Sequence, residues 1–204
     1  MTLQIPDGDF DGYVFDCDGT LADSMPVHYE AWVETLARFG CDFPEPYFYE
    51  LGGVPTERIV EMLNEQQGLN MPPVEIARDK EALYIRLIPH ITPIRPVVDF
   101  ARRFHGKKPL AVASGGHRGI VRRTLTAIGI VDLFTAIVGA EDYAHGKPAP
   151  DPFLEAARQL GVDPARCLAF EDTALGIQSA SSAGMATVRV PATRLPRRAK
   201  PATR

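Results

Sequence analysis

The sequence predicts an α/β fold: a parallel sheet covered by helices, with a helical domain inserted after the first strand. Five short apolar runs have the length and composition of buried strands, at residues 12–16, 109–113, 136–139, 167–171 and 185–190. A helix-length segment precedes each of the last four runs. Strand and helix alternate in this way when a parallel sheet is covered on both faces.

The helices of this core are predicted from their length and from the residues at which they stop. They span residues 96–105, 117–128, 151–160 and 173–183. The last three stop at Gly129, Gly161 and Gly184. Glycine commonly ends a helix because it adopts the left-handed backbone conformation without a steric penalty.

Residues 22–93 break the alternation and are predicted to be helical throughout. Apolar residues at helical spacing indicate a first helix over 24–39 that stops at Gly40, and two further helices follow at 56–67 and 73–88. We interpret this stretch as a second, smaller domain. The predicted organisation is therefore an α/β core formed by residues 1–21 and 94–190, a helical domain over 22–93, and a basic tail over 191–204.

Composition and charge narrow the class of protein. Hydrophobic residues make up 45% of the 204, enough for a packed core, and no apolar run approaches the length of a membrane span. Residues 189–204 hold six of the 22 basic residues and no acid, so the preceding part carries 16 basic against 26 acidic residues. This acidic body argues against nucleic acid as a partner, whereas a short basic, proline-rich tail is typical of a disordered segment.

The cysteines and the N-terminus indicate the compartment. Three cysteines with no CxxC spacing are typical of free thiols in a reducing environment. The first residues lack the basic and then apolar order of a secretory signal. We therefore expect a cytoplasmic protein with no membrane partner.

The segment Asp16-Cys17-Asp18-Gly19-Thr20 follows the first predicted strand. Ligands of parallel sheets bind outside the carboxyl ends of the strands, so both aspartates are expected at a binding edge. Two carboxylates this close repel each other unless a divalent cation or a raised pKa relieves the conflict. An aspartate is ionised at neutral pH and can attack a phosphoryl group without a base. The alternative interpretation is an acidic turn without chemistry.

Three weaker signals follow other predicted strands. Ser114 and two glycines open a helix, where they could bind an anion or merely form a cap and turn. Lys147 lies in a proline-rich loop and could be an ordinary surface charge. Glu171 and Asp172 add two carboxylates, although Asp172 or Thr173 could instead simply cap the next helix.

Taken together, these signals are stronger evidence for a site than each one alone, because the carboxyl ends of parallel strands meet at one edge of a sheet. An aspartate pair, a hydroxyl, a lysine and a second acidic pair would supply a nucleophile, anion donors and oxygen ligands for Mg²⁺. The combination predicts Mg²⁺-dependent phosphoryl transfer.

The same motifs resemble the haloacid dehalogenase superfamily of phosphotransferases. That superfamily carries, in this order, an Asp-x-Asp-Gly-Thr motif, a serine or threonine after the second core strand, a lysine in a Gly-Lys-Pro-x-Pro-Asp-like loop, and an acidic pair. The resemblance extends over about residues 10 to 190 and implies a Rossmann-like core domain with an inserted helical cap domain. Asp18 argues against true dehalogenases, which lack the second aspartate.

The resemblance implies a role for each matching residue. Asp16 would be the nucleophile that becomes phosphorylated, and Asp18 would be the general acid and base. Ser114 and Lys147 would bind the phosphate. The implied Mg²⁺ ligands are Asp16, the Asp18 carbonyl and Asp172, with Glu171 assisting.

Substrate binding is assigned to five further residues. Thr20 and Gly115 lie beside the nucleophile and the phosphate-binding serine. His28 matches a cap histidine of the mutases and their close phosphatase relatives, although a lone helix histidine is often only a core or surface residue. Arg58 and Lys80 are the remaining cap candidates, and Lys80 could equally be an exposed helix residue.

The resemblance is closest to the group that contains β-phosphoglucomutase and small sugar-phosphate phosphatases. Thr56 aligns where the mutase has an arginine for the second phosphate, and Arg58 comes two positions later. We therefore favour a phosphatase similar to those for fructose 1-phosphate and 6-phosphogluconate, acting as a monomer on a small phosphorylated sugar. The alternatives are a hexose-phosphate mutase and a non-catalytic protein that responds to phosphate or Mg²⁺.

Overall fold

A computed structural model of the chain describes residues 2–192. The chain divides into two compact units. Among the described residues, the α/β unit is built from residues 2–24 and 91–192, and the helical unit from Met25–His90. Most of the predicted basic tail, residues 193–204, lies outside the described part of the chain.

The described residues form eight α-helices and five β-strands. In chain order these are β1 (Gly12–Phe15), α1 (Met25–Ala37), α2 (Glu45–Glu50), α3 (Thr56–Gln67), α4 (Pro73–Leu87), α5 (Arg95–Phe104), β2 (Leu110–Ala113), α6 (Arg118–Ala127), β3 (Ala136–Val138), α7 (Asp151–Leu160), β4 (Cys167–Glu171), α8 (Ala174–Ser182) and β5 (Ala186–Arg189). Every predicted strand and helix is present, with ends that differ by at most two residues. None of these helices is long and apolar enough to span a bilayer.

The α/β unit contains one parallel sheet with the strand order β3-β2-β1-β4-β5. Every residue of β1, β2 and β4 is buried, as expected for strands whose two faces are both covered. Phe15 of β1 stacks on Phe170 of β4 with ring centroids 4.7 Å apart. The predicted α/β fold is therefore confirmed, and β1 lies at the centre of the sheet.

The helical unit is held together by an aromatic-rich core. Trp32 and Leu36 of α1 pack in one cluster with Phe48 of α2, Leu63 of α3 and Ile76 of α4. Within the stretch predicted to be helical, α2 was not distinguished as a separate helix, because six residues are too few to display helical periodicity. The burial of Phe48 in this cluster is what gives the short helix a stable position.

Candidate active site

Most of the predicted site residues lie at the carboxyl edge of the sheet. Asp16 follows β1, Ser114 follows β2 and Glu171 ends β4. Backbone hydrogen bonds continue the sheet just past the strands: the Asp16 N–H donates to the Phe170 carbonyl at 2.9 Å, and the Ser114 N–H donates to the Val138 carbonyl at 3.0 Å. Asp16 and Ser114 are therefore held in place by the hydrogen-bonded backbone of the sheet.

Lys147 joins Asp16 to the acidic pair. Its Nζ donates to Asp16 Oδ1 at 2.7 Å and to Glu171 Oε2 at 2.6 Å. The side chains are 7% exposed for Lys147, 9% for Asp16 and 1% for Glu171. Charges buried to this extent need partners, since an unpaired charge in the interior is strongly destabilising. The interpretation of Lys147 as a surface charge is therefore wrong.

The pKa values of this group follow from burial and from one lysine shared between two carboxylates. Burial, followed by repulsion from Glu171, raises the pKa of Asp16 to about 7 despite the nearby Lys147. Burial alone would raise the pKa of Glu171, but Lys147 lowers it below its usual value. Burial alone would lower the pKa of Lys147, but Asp16 and Glu171 raise it. Glu171 and Lys147 are thus ionised at neutral pH, whereas the raised pKa of Asp16 shows that its negative charge is disfavoured in the absence of a further cation.

Three carboxylates converge near Lys147 in an arrangement that fits a hard cation. One carboxylate oxygen from each of Asp16, Glu171 and Asp172 lies within 4.8 Å of the other two. Burial, with repulsion from Asp16 and Glu171, raises the pKa of Asp172 well above its usual value. An oxygen-only donor set is the one Mg²⁺ prefers, and a divalent cation would relieve this repulsion. The residues present therefore fit Mg²⁺.

The second oxygen of Glu171 is bound by the start of α8. Glu171 Oε1 accepts hydrogen bonds from the N–H groups of Asp172 and Thr173 and from the Thr173 hydroxyl, at 2.9–3.0 Å. Thr173 Oγ1 in turn accepts the Gly176 N–H at 3.0 Å and so caps the helix. Thr173, and not Asp172, is therefore the residue that caps α8.

Gly19 allows the loop after β1 to approach Asp172. Its φ of 86° lies in the left-handed region, and a Cβ at this position would overlap the Asp172 carboxylate. The next residue, Thr20, is fully buried and donates from Oγ1 to Asp172 Oδ1 at 3.2 Å. The structure thus places the substrate-binding candidate Thr20 against a candidate metal ligand.

Asp18 accepts a short hydrogen bond from Ser24. The Ser24 hydroxyl donates to Asp18 Oδ1 at 2.6 Å, and Ser24 is fully buried. Sequence reasoning missed Ser24. A serine shortly after an Asp-Gly-Thr turn is too common to be distinguished by its position alone.

Ser114 is buried and arranged to donate from its hydroxyl. The Gly116 N–H donates to Ser114 Oγ at 3.1 Å, so the hydroxyl hydrogen is left for another acceptor. Gly115 borders open space, because a Cβ there would meet no atom within 4 Å. Tyr143, which sequence reasoning also missed, donates from its hydroxyl to the Ser114 carbonyl at 3.1 Å.

Two of the cap candidates pair with each other in the helical unit. Lys80 Nζ and His28 Nδ1 lie 2.9 Å apart, and the His28 ring stacks on Tyr84 with centroids separated by 3.8 Å. Lys80 is 7% exposed, and its ammonium lies 5.7 Å from the centroid of Trp32. The interpretation of Lys80 as an exposed helix residue is therefore wrong.

Arg58, the third cap candidate, lies on the exposed side of α3. Its guanidinium pairs with Glu61 at 2.9 Å and with Glu65 at 3.5 Å, and its side chain is 52% exposed. These are ion pairs within a single helix, which contribute little to stability. Neither of these two ion pairs involves His28 or Lys80.

Comparison with known protein families gives one family match. A family model described as haloacid dehalogenase-like hydrolase matches residues 10–184. The match includes every candidate site residue of both units, from Asp16 to Asp172. It therefore extends over most of the chain.

The chain is also similar to characterised relatives along most of its length. Fructose-1-phosphate phosphatase YqaB of Escherichia coli K12 is 39% identical over 180 residues, which cover 88% of this chain and 95% of that protein. β-Phosphoglucomutase of Bacillus subtilis is 33% identical over 188 residues, covering 87% and 81%. The crystal structure of CbbY from Rhodobacter sphaeroides in complex with phosphate has a TM-score of 0.81 and 26% identity, covering 94% and 89%.

Proposed function

The chain belongs to the haloacid dehalogenase-like hydrolase family, and we propose that it is a Mg²⁺-dependent phosphatase that acts on small sugar phosphates. The observation that carries the proposal is a buried Asp16 held by Lys147 beside Glu171 and Asp172. An aspartate nucleophile, a fixed cation and an oxygen cage for Mg²⁺ are what transfer of a phosphoryl dianion requires. The 39% identity to a fructose-1-phosphate phosphatase supports a sugar phosphate as substrate.

In the first step, a carboxylate oxygen of Asp16 attacks the phosphorus, and the bond from phosphorus to the sugar oxygen breaks. The electron pair of the broken bond stays on the sugar oxygen, which takes a proton from the Asp18 carboxyl. Ser24 donates to Asp18 Oδ1, so the transferable proton belongs on the other Asp18 oxygen. This step yields the free sugar and a phosphorylated Asp16.

In the second step, water attacks the phosphorus of the phosphorylated Asp16. The Asp18 carboxylate takes a proton from this water, and the bond from phosphorus to the Asp16 oxygen breaks. Inorganic phosphate leaves, Asp16 is again a carboxylate, and Asp18 is again protonated. One residue thus acts as acid in the first step and as base in the second.

The remaining site residues hold charge and bind the phosphate. Mg²⁺ would be held by Asp16, Asp172 and the Asp18 carbonyl, where it would neutralise the charge of the phosphoryl group. Both oxygens of Glu171 already accept hydrogen bonds, so Glu171 assists by holding Lys147 and the start of α8. The Ser114 hydroxyl and the Gly115 N–H donate to phosphate oxygens.

We also propose that the helical unit selects the sugar. His28, Lys80 and Arg58 are the candidate residues. The partly buried Lys80–His28 pair supports this assignment more than the ion-paired Arg58 does. Alanine variants of the three cap residues should raise the KM for a sugar phosphate more than the KM for an aryl phosphate, which has no sugar to recognise.

The experiment that tests the proposed function is a screen of phosphate esters with the purified protein. We expect release of inorganic phosphate from one or more small sugar phosphates in Mg²⁺ and loss of activity in excess EDTA. Full activity in EDTA would contradict the metal requirement. Binding of Mg²⁺ and phosphate without turnover of any ester would instead support a non-catalytic binding protein.

A hexose-phosphate mutase is the second candidate, favoured by the 33% identity to β-phosphoglucomutase. The two activities differ in their product from β-glucose 1-phosphate. A phosphatase releases glucose and inorganic phosphate, whereas a mutase forms glucose 6-phosphate. Thr56, in place of the arginine expected of a mutase, favours the phosphatase.

A further inference from the structure

The backbone of Ser114 is held on both sides by the segment that begins at the end of β3. Its N–H donates to the Val138 carbonyl at 3.0 Å, and its carbonyl accepts the Tyr143 hydroxyl at 3.1 Å. Because each peptide group is planar, these two bonds restrain the peptide planes before and after Ser114. The direction of the Ser114 side chain is thereby set by Val138 and Tyr143 together.

The second of these peptide planes also carries the Gly115 N–H. The Ser114–Gly115 peptide is trans, so its carbonyl and its N–H point in opposite directions. Binding of the carbonyl by Tyr143 therefore turns the Gly115 N–H away from Tyr143. Among the described residues, no acceptor is bonded to this N–H, and Gly115 borders open space. The N–H is thus available for an anion.

Tyr143 is itself held firmly. Its ring packs against the hydrophobic core of the α/β unit, and a Cβ at Gly146 would lie 3.9 Å from Tyr143 Cε2. Burial raises the pKa of Tyr143, so the phenol keeps its proton and remains a donor at neutral pH. The Tyr143 side chain is therefore fixed at one end by the hydrophobic core and bonded at the other to the backbone of Ser114.

We propose that Tyr143 is a positioning residue for phosphate binding, which orients the Ser114 hydroxyl and the Gly115 N–H through its bond to the Ser114 carbonyl. The proposal rests on the proposed phosphatase function and adds a residue outside its motifs. Tyr143 touches neither the phosphate nor Asp16. It acts through the peptide group that it holds.

The test is Tyr143→Phe, which removes the hydroxyl and keeps the ring. Loss of one neutral hydrogen bond corresponds to a change of about three- to tenfold in an equilibrium constant. We expect the dissociation constant of inorganic phosphate, measured by calorimetry in saturating Mg²⁺, to rise about three- to tenfold. The kcat/KM for the best ester should fall to a similar extent, whereas the affinity for Mg²⁺ should not change.

Tyr13→Phe is the matched control. Tyr13 is a buried tyrosine of the same unit that packs on Phe100 and Phe104, and it lies near the start of β1 rather than at its carboxyl end. Tyr13→Phe should leave the phosphate affinity unchanged, and any effect should be limited to the melting temperature. If Tyr143 has a purely structural role, Tyr143→Phe should behave like this control and keep the phosphate affinity and kcat/KM of the parent. That result would overturn the proposal.

The outcomes separate this inference from the proposed function. If the parent hydrolyses esters and Tyr143→Phe matches it in every binding and kinetic constant, the role of Tyr143 alone is wrong. If the parent binds phosphate without turnover, the phosphatase proposal fails, and weaker phosphate binding by Tyr143→Phe still supports the positioning role. A parent that neither binds phosphate nor turns over an ester contradicts both.

Discussion

At the scale of single residues, the site is governed by an excess of buried negative charge. Asp16, Glu171 and Asp172 share one buried ammonium, that of Lys147. One ammonium does not balance three carboxylates, and the raised pKa values of Asp16 and Asp172 show that ionisation of these two groups is disfavoured. A divalent cation at this site would relieve that repulsion.

Replacement of the proposed nucleophile should abolish turnover. An amide is no comparable nucleophile and is a poorer Mg²⁺ ligand than a carboxylate, so Asp16→Asn should lower kcat by about 10⁴-fold or more. The measurement is phosphate release by a variant shown by circular dichroism to be folded. Near-parental activity would show that Asp16 is not the nucleophile.

The same variant should be more stable than the parent without metal. The pKa of Asp16 is raised in the folded state to about 7, so the folded state holds a proton that the unfolded chain releases above pH 4. The Asp16 carboxyl therefore makes its full contribution to the free energy of unfolding below the pKa that it has in the unfolded chain. This contribution is lost as the pH rises through about 7. In EDTA at pH 8, Asp16→Asn should therefore exceed the parent in free energy of unfolding, by about 2–4 kcal/mol. The difference should shrink toward pH 4 in a urea titration series; a difference independent of pH would contradict this origin.

Replacement of the proposed acid should depend on the leaving group. Asp18→Asn keeps the backbone carbonyl proposed for Mg²⁺ but can neither give nor take a proton. The kcat should fall about 10²–10⁴-fold with a sugar phosphate and less in the first step with an aryl phosphate, whose phenolate leaves unaided. Rapid-quench measurement of both substrates should also detect a longer-lived phosphorylated enzyme. Equal losses on both substrates with no trapped phosphate would exclude Asp18 from proton transfer.

At the scale of the elements, the site depends on close approach between strand ends, loops and one helix start. The carboxyl end of β4 leads directly into α8, and Glu171 packs against that helix so tightly that a Cβ at Gly176 would overlap its side chain. Gly19 plays the corresponding part in the loop after β1, where it faces Asp172. Small residues here are needed to position carboxylates, not to make the backbone flexible.

Two helix glycines of the α/β unit should therefore respond oppositely to alanine. Alanine favours a helix over glycine by up to about 1 kcal/mol, so Gly119→Ala in α6, where a Cβ meets no atom within 4 Å, should be neutral or slightly stabilising. Gly176→Ala in α8 should be destabilising by about 2 kcal/mol or more, because Glu171 must move. It should also weaken Mg²⁺ binding. Urea unfolding and calorimetry measure the two effects, and equal stability of the two variants would argue against tight packing of Glu171.

At the scale of the whole molecule, the α/β unit holds the complete set of proposed phosphoryl-transfer residues. The strand order places β1 between β2 and β4, so Asp16 has Ser114 on one side and Glu171 on the other.

The three cysteines differ in their burial. Cys17 and Cys167 are fully buried in the α/β unit, whereas Cys41 of the helical unit is half-buried.

The rates of thiol modification should report this distribution. Burial raises the pKa of Cys17 far above its usual value and that of Cys167 to about 11, so neither thiol is exposed or ionised at pH 8. Burial also raises the pKa of Cys41, but its thiol is partly exposed, so Cys41 should react faster than the other two with an aromatic disulfide in the native protein. All three should react in guanidinium chloride. Cys41→Ser should remove the fast phase. A fast phase that survives in this variant would contradict the burial of the other two.

The fold class and the strand ends that carry the proposed site could be predicted from the amino-acid sequence alone. Apolar runs, helical spacing and glycine stops are local features, and they placed every predicted strand and helix to within two residues. The Asp-x-Asp-Gly-Thr motif and the acidic pair could be read in the same way, because each lies within a few residues of a strand end.

Which side chains are in contact and which groups are buried could not be predicted from the sequence and became known from the three-dimensional structure. Asp16 and Lys147 are 131 residues apart, and nothing in their spacing distinguishes a buried ion pair from a surface charge. The burial of Lys80 could not be predicted either, because its charged sequence neighbours are typical of an exposed helix face. Nor could the contact between Tyr143 and Ser114 be predicted from their positions in the sequence. Sequence patterns report the periodicity of one segment, whereas these contacts depend on how distant segments pack. That packing brings a phenol, an ammonium or a carboxylate within hydrogen-bonding distance of its partner.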